Sequence, residues 1–284
     1  MNKFSKAITI AAALASATIF GIGCKSSTEP SSALEYGSEA AADVQASSIG
    51  TESGGAGVSF GDAMGLVQSG NVPNIMGDPK SDPQTRSYSF DSVTKVHTLT
   101  ITRGLNYGNF NFSALITYQY TFYDASGNKM NNWVKGTTDK VTITLSKTRS
   151  LDKGERVDVD DTASGSWIIS NIVSGAPLLN GSFMRNGTEV FHTPNNGDRT
   201  FTQSLTINFT NDTLVQDGDK KHAFLKGPAS SDFSATTPKY SFSRHTDIVF
   251  NGDGTATLTV HRADGTTDVY TVDTRLGLFL HKIR

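Results

Sequence analysis

Between residues 109 and 124 the chain reads NFNFSALITYQYTFYD. Phe110, Phe112, Ala114, Ile116, Tyr118, Tyr120 and Phe122 fall on one alternation; Asn111, Ser113, Thr117, Gln119 and Thr121 fall on the other. A period of two held this long is the signature of a β-strand with one covered face and one wet face, because successive side chains of a strand point to opposite sides. A helix would scatter the same residues around its circumference. At about 3.3 Å per residue the strand would run roughly 45 Å.

The same texture recurs after residue 87. VTITL aligns Val141, Ile143 and Leu145; FTQSLTINF aligns Phe201, Leu205, Ile207 and Phe209; TATLTV aligns Ala256, Leu258 and Val260. Turn residues separate such runs: DASGN at Asp124 to Asn128, RNGT at Arg185 to Thr188, NGDGT at Asn251 to Thr255 and ADGT at Ala263 to Thr266. Asn-Gly is a strong short hairpin signal, and tight turns force antiparallel neighbours. No stretch in this region sustains a helical period. The expectation is an all-β domain over 87–284, an antiparallel meander of about ten or more strands forming a sandwich or a barrel, since a sheet with one apolar face must cover it.

Residues 24–86 are rich in Ser, Ala and Gly, as in SSTEPSS and GTESGGAG. Such composition buries little and predicts a flexible tether. A weak helical pattern runs through ALEYGSEAAADVQASSI within it.

The first 23 residues have the order of a secretory signal peptide. Lys3 and Lys6 are followed by an uncharged apolar and small-residue run from Ala7 to Ile22, and then by Gly21, Ile22, Gly23 and Cys24. That run is short for a membrane span, which needs about 20 apolar residues. The leader resembles the lipobox of bacterial lipoproteins, with Gly21 where that family usually carries Leu. The resemblance covers the leader only. It implies cleavage before Cys24, lipidation of its thiol with acyl chains such as palmitate, and attachment to a membrane of the bacterial envelope. Lys25, rather than Asp, follows the cysteine, which in that family implies the outer membrane. Several acyl chains on one residue make such anchoring stable.

Cys24 is the only cysteine, so no internal disulfide can form and stability must come from the core. With 25 Lys and Arg against 27 Asp and Glu, and no basic stripe, the chain lacks the positive footprint that nucleic-acid binding requires.

Catalytic and metal motifs are weak. GVSFG, Gly57 to Gly61, has the spacing of a nucleophile elbow, but no apolar strand precedes Ser59 to hold it on a strained turn. DGDKKH and NGDGT fail the oxygen-ligand spacing of a calcium loop. Asp158 and Asp160 share a strand face with the look of a solvated edge. The six histidines, His97, His192, His222, His245, His261 and His281, show no zinc spacing. The sequence therefore predicts no catalytic residues, metal site or cofactor, and a non-enzymatic, lipid-anchored binding or structural module of the envelope. Its partners would be the membrane, through Cys24, and an envelope protein or an apolar ligand. The alternative is a carrier whose barrel or half-barrel cavity is walled by Phe110, Phe112, Ile116, Tyr118, Tyr120 and Phe122.

Overall fold

The computed structural model describes residues 31–49, 84–108, 110–152, 157–191, 198–216, 223–274 and 278–283. Cys24, the leader and Ser59 lie outside them.

Among the described residues a helix comes first, α1 (Ser31–Ile49), and thirteen strands follow. They are β1 (Gln84–Asp91), β2 (Val96–Tyr107), β3 (Phe110–Asp124), β4 (Lys129–Met130), β5 (Thr138–Asp152), β6 (Val157–Ser170) and β7 (Leu178–Phe191). After them come β8 (Arg199–Gln216), β9 (Ala223–Thr236), β10 (Ser241–Asn251), β11 (Thr255–His261), β12 (Thr267–Asp273) and β13 (Leu278–Ile283). Each main strand pairs antiparallel with its neighbour in the chain, and β4 adds a short rung to β3. The protein is thus an all-β meander, as its alternation predicts. Among the described residues no ladder joins β1 to β13, so the sheet stays open at that seam.

The alternation sets the burial. Along β10, Phe242, Arg244, Thr246, Ile248 and Phe250 are buried while Ser241, Ser243, His245, Asp247, Val249 and Asn251 are exposed. In β3, Ala114, Tyr118, Tyr120 and Phe122 are buried, and Asn111, Ser113 and Gln119 are exposed. Thr121 departs from the pattern: it lies on the polar alternation yet is buried, beside the rung where β4 pairs with Phe122 and Tyr123. The turn signals at Asp124, Asn251 and Ala263 mark real hairpin turns, with Gly127, Gly252, Gly254 and Gly265 at positive φ, the region glycine enters without a steric penalty.

The Asn-Gly pair at 186–187 makes no turn. Both residues sit inside β7, which pairs with β6 and β8 along its length and buries Leu179, Phe183, Gly187 and Glu189 on one face. Two continuous ladders outweigh a local preference worth far less. Gly187 is buried where a Cβ would stand 3.4 Å from that of Asp161.

The segment expected to be a flexible tether requires a correction over 31–49, where the weak pattern is a helix inside the core. Val44 to Ile49 are all buried, and six consecutive residues cover every side of a helix. Helix α1 touches β9 through β13, and Ala41, Ala42, Val44, Ala46 and Ile49 share one core with Leu99, Phe122, Trp167, Phe233 and Val272. The sheet therefore curls around the helix. Alanine supplies helix propensity, and small side chains allow a close approach. A Cβ on Gly37 would lie 2.5 Å from Arg244 Nη2 and 3.0 Å from Phe242 Cδ2. Two polar contacts fix the docking: Gln45 Nε2 donates to Thr246 Oγ1 at 2.9 Å, and Arg244 Nε donates to Ser38 Oγ at 3.3 Å.

Candidate functional site

The residues proposed from sequence as a cavity wall do not share one environment. Tyr118, Tyr120 and Phe122 belong to the main core, with Ile116 packed against it. Tyr120 lies parallel to the His97 ring at 4.9 Å and edge-on to Phe122 at 5.5 Å. Phe112 is half-buried and packs on a small separate cluster, Leu151 and Val159. Phe110 opens β3 opposite Tyr107.

Between those two apolar regions the core-facing alternation turns ionic. Lys147, Arg149, Asp161, Arg185 and Glu189 occupy core-facing positions of β5, β6 and β7, registered so that Arg149 faces Asp161 and Ala163 lies between Lys147 and Arg185. Asp161 Oδ2 accepts from Arg149, in a tight ion pair, and from Arg185 Nη2 at 3.3 Å. Burial pushes the Asp161 carboxyl up, but Arg149 and Arg185 outweigh it and hold it below the usual carboxylate range. Burial, aided by the charge of Arg149, brings Lys147 down to about 7. Gln203 Nε2 donates to Glu189 Oε1 at 3.1 Å, and burial raises that carboxyl.

The opposite, exposed alternation of these strands, with β2, β3 and β8, forms a trough of about 530 Å³. Thr102, Ser113, Leu115, Thr148, Ser150, Asp160, Thr162, Asn186, Thr188 and Thr202 line it, together with Arg103, Ala114, Arg149, Asp161 and Gly187. Register explains the concentration: Ser113, Ser150, Asp160, Thr188 and Thr202 are successive cross-strand partners, and so are Thr102, Leu115, Thr148, Thr162 and Asn186. Neighbouring strands lie about 4.8 Å apart, so the two rows form a grid of hydroxyls, one amide and the Asp160 carboxylate around the exposed side chain of Leu115. Of its charged residues, Arg103, Arg149 and Asp161 stand at core-facing positions and Asp160 is on the exposed alternation. Such a surface can donate and accept hydrogen bonds at many points. Sequence reasoning assigned this face to water and missed the trough, because its rows run across strands and are visible only once the register is known.

A third cluster spans β9, β10 and β11. His245 sits directly opposite Asp232 on one side and His261 on the other. Its Nδ1 lies 2.8 Å from Asp232 Oδ1, and its Nε2 lies 3.7 Å from Asp247 Oδ1. His261 Nε2 is 2.8 Å from Asp247 Oδ2. As placed, these groups pair with one another, and among the described residues no three His, Cys, Asp or Glu side chains are set to hold a metal ion.

No protein-family model matches this chain, and no curated protein or solved structure is detectably similar to it.

Proposed function

We propose that this chain is a lipid-anchored binding module of the bacterial cell envelope, without catalytic activity, held through Cys24 at the outer membrane. The reading of the domain as a binding module rests on the trough. Its rows of hydroxyls, its amide and its exposed leucine suit a polyhydroxylated ligand, such as a segment of envelope glycan. Each neutral hydrogen bond there is worth about 0.5–1.5 kcal/mol.

Two measurements test the proposal. Cells grown with a labelled fatty acid should label the wild type and not Cys24→Ala; equal labelling removes the anchor. Neutral glycan fragments isolated from the envelope should bind the protein, and Ser150→Ala and Asn186→Ala should each weaken binding by about 2- to 10-fold. Undiminished binding by both variants removes the trough as the binding surface.

The second reading, a carrier of an apolar ligand, draws on α1. Inside the core, Gln45 Oε1 and Ser48 Oγ have no hydrogen-bond partner among the described residues, an unfavourable state for a permanent filling. In this reading α1 is exchanged for a lipid chain. Native mass spectrometry of the protein extracted from membranes supports it if a stoichiometric lipid remains bound to Cys24→Ala, and rejects it if none does.

A further inference from the structure

We propose that Asp160 selects what the trough takes. Its carboxylate accepts hydrogen bonds from two hydroxyls on adjacent sugar carbons, and it turns away glycans that bring a carboxylate, phosphate or sulfate to that point. The inference rests on the reading of the trough as a glycan-binding surface, and it names the class of glycan: a neutral one with intact vicinal diols.

Position and register set this side chain apart. Asp160 and Asp161 are consecutive in β6, so they point to opposite sides of the sheet. Asp161 is buried on the core side and committed to Arg149 and Arg185. Asp160 is exposed in the trough, and among the described residues its carboxylate has no hydrogen-bond or ion-pair partner. It is the only charged side chain on the exposed alternation of the lining. Its direct cross-strand partners are Ser150 on β5 and Thr188 on β7, and Thr162 follows it on the same face of β6. Directly opposite residues hold their Cβ atoms about 4.5–5.5 Å apart, so the carboxylate stands between hydroxyls on both sides. Two ladders fix its backbone, so little ordering accompanies binding.

The chemistry follows from what each group can do. The Ser, Thr and Asn side chains of the lining donate or accept as a ligand requires, whereas an ionised carboxylate only accepts. The hydroxyls therefore adapt to many polar ligands, and Asp160 demands donors. Hydroxyls on neighbouring carbons of a sugar ring supply them, one to each carboxylate oxygen. Such bonds to a charged acceptor are stronger than those between neutral groups. An anionic group in the same place has no proton to give and meets a like charge, so Asp160 discriminates by repulsion as well as by attraction.

Neutral glycan fragments isolated from the envelope serve as the probe in three forms. One is untreated, one has its vicinal diols cleaved by periodate and the products reduced, and one has its primary hydroxyls oxidised to carboxylates. Calorimetry with the full chain in detergent should show the second and third forms binding at least about tenfold more weakly than the first. Asp160→Asn should weaken binding of the untreated form about tenfold and reduce the discrimination against the oxidised form to less than about threefold. Its circular dichroism spectrum should match that of the wild type, since the position is exposed. Unweakened binding of untreated fragments by Asp160→Asn, or equal binding of the cleaved or oxidised fragments by the wild type, overturns the role of Asp160. The trough survives that result if Ser150→Ala and Asn186→Ala still bind less. If the wild type binds no untreated fragment, the glycan reading of the trough fails and the selectivity of Asp160 fails with it.

Discussion

Gln45 of α1 and Thr246 of β10 share a hydrogen bond of 2.9 Å across 201 residues of chain. Both are fully buried. A segment with the composition of a linker is therefore tied, by a specific side-chain contact, to the far end of the sheet.

Breaking one half of that contact should cost more than removing both. Thr246→Val leaves the buried amide of Gln45 without its acceptor and should destabilise the fold by about 1–3 kcal/mol. Gln45→Leu alone removes the stranded amide and should be milder, and adding it to Thr246→Val should recover much of the loss. Urea unfolding of the three proteins checks this; equal losses for all three would mean the contact is not made.

The two ends of β3 should respond differently to truncation. Phe122 is almost wholly buried in the main core, so Phe122→Ala should cost about 3–5 kcal/mol. Phe112 is half-buried against Leu151 and Val159 only, and Phe112→Ala should cost less than half as much. Thermal melts of the pair provide the comparison, with Gln119→Ala, on the exposed alternation, expected within about 0.5 kcal/mol of wild type.

Asp161 holds Arg149 and Arg185 together beside Lys147. Asp161→Asn should cost about 3–5 kcal/mol, because it leaves buried cations facing one another. Arg185→Met added to it should restore part of the loss. A melting temperature for the double variant below that of Asp161→Asn would contradict this account.

Asp212 predicts a pH dependence of the opposite kind to that of an ion-paired carboxylate. It is fully buried, its Oδ1 has no hydrogen-bond partner among the described residues, and burial pushes its carboxyl up to about 7 despite a hydrogen bond from the Thr210 amide. In the unfolded chain it titrates near 3.9. Between about pH 4 and 7 the folded protein therefore binds a proton that the unfolded chain does not, and stability falls as pH rises through that window. Asp43 adds to the slope, because burial and the nearby Glu39 raise it to about 6. Asp212→Asn should flatten the fall in melting temperature between pH 5 and 7 and make the protein more stable than wild type at pH 8. An unchanged slope would show that Asp212 titrates normally.

How far the fold could be read in advance follows from the range of each signal. Alternation is local and survives folding, so β3, β5, β8 and β11 were legible from Phe110–Phe122, Val141–Leu145, Phe201–Phe209 and Ala256–Val260. Asn186-Gly187 misled because a two-residue turn preference was set against ladders on both sides of β7. The helix was legible only as a weak pattern because Ala and Ser serve equally as linker residues and as close-packing helix residues. The difference lies in Phe242 and Arg244, more than 190 residues away in sequence. The trough and the His245–His261 pair were invisible for the same reason, since both are products of register.

The place of α1 has a consequence for the order in which the molecule is completed. Every hairpin of the sheet can form as soon as its two strands leave the ribosome, because its contacts are local. The helix precedes all of these strands, yet its seat on β9 to β13 arrives only after β1 to β8. A nascent chain that ends before β10 has no Thr246 to receive Gln45 and no Arg244 to receive Ser38. An element that precedes all the described strands is thus locked in place only by strands that follow eight others, and the buried seat of α1 reports that β9 to β13 have been delivered.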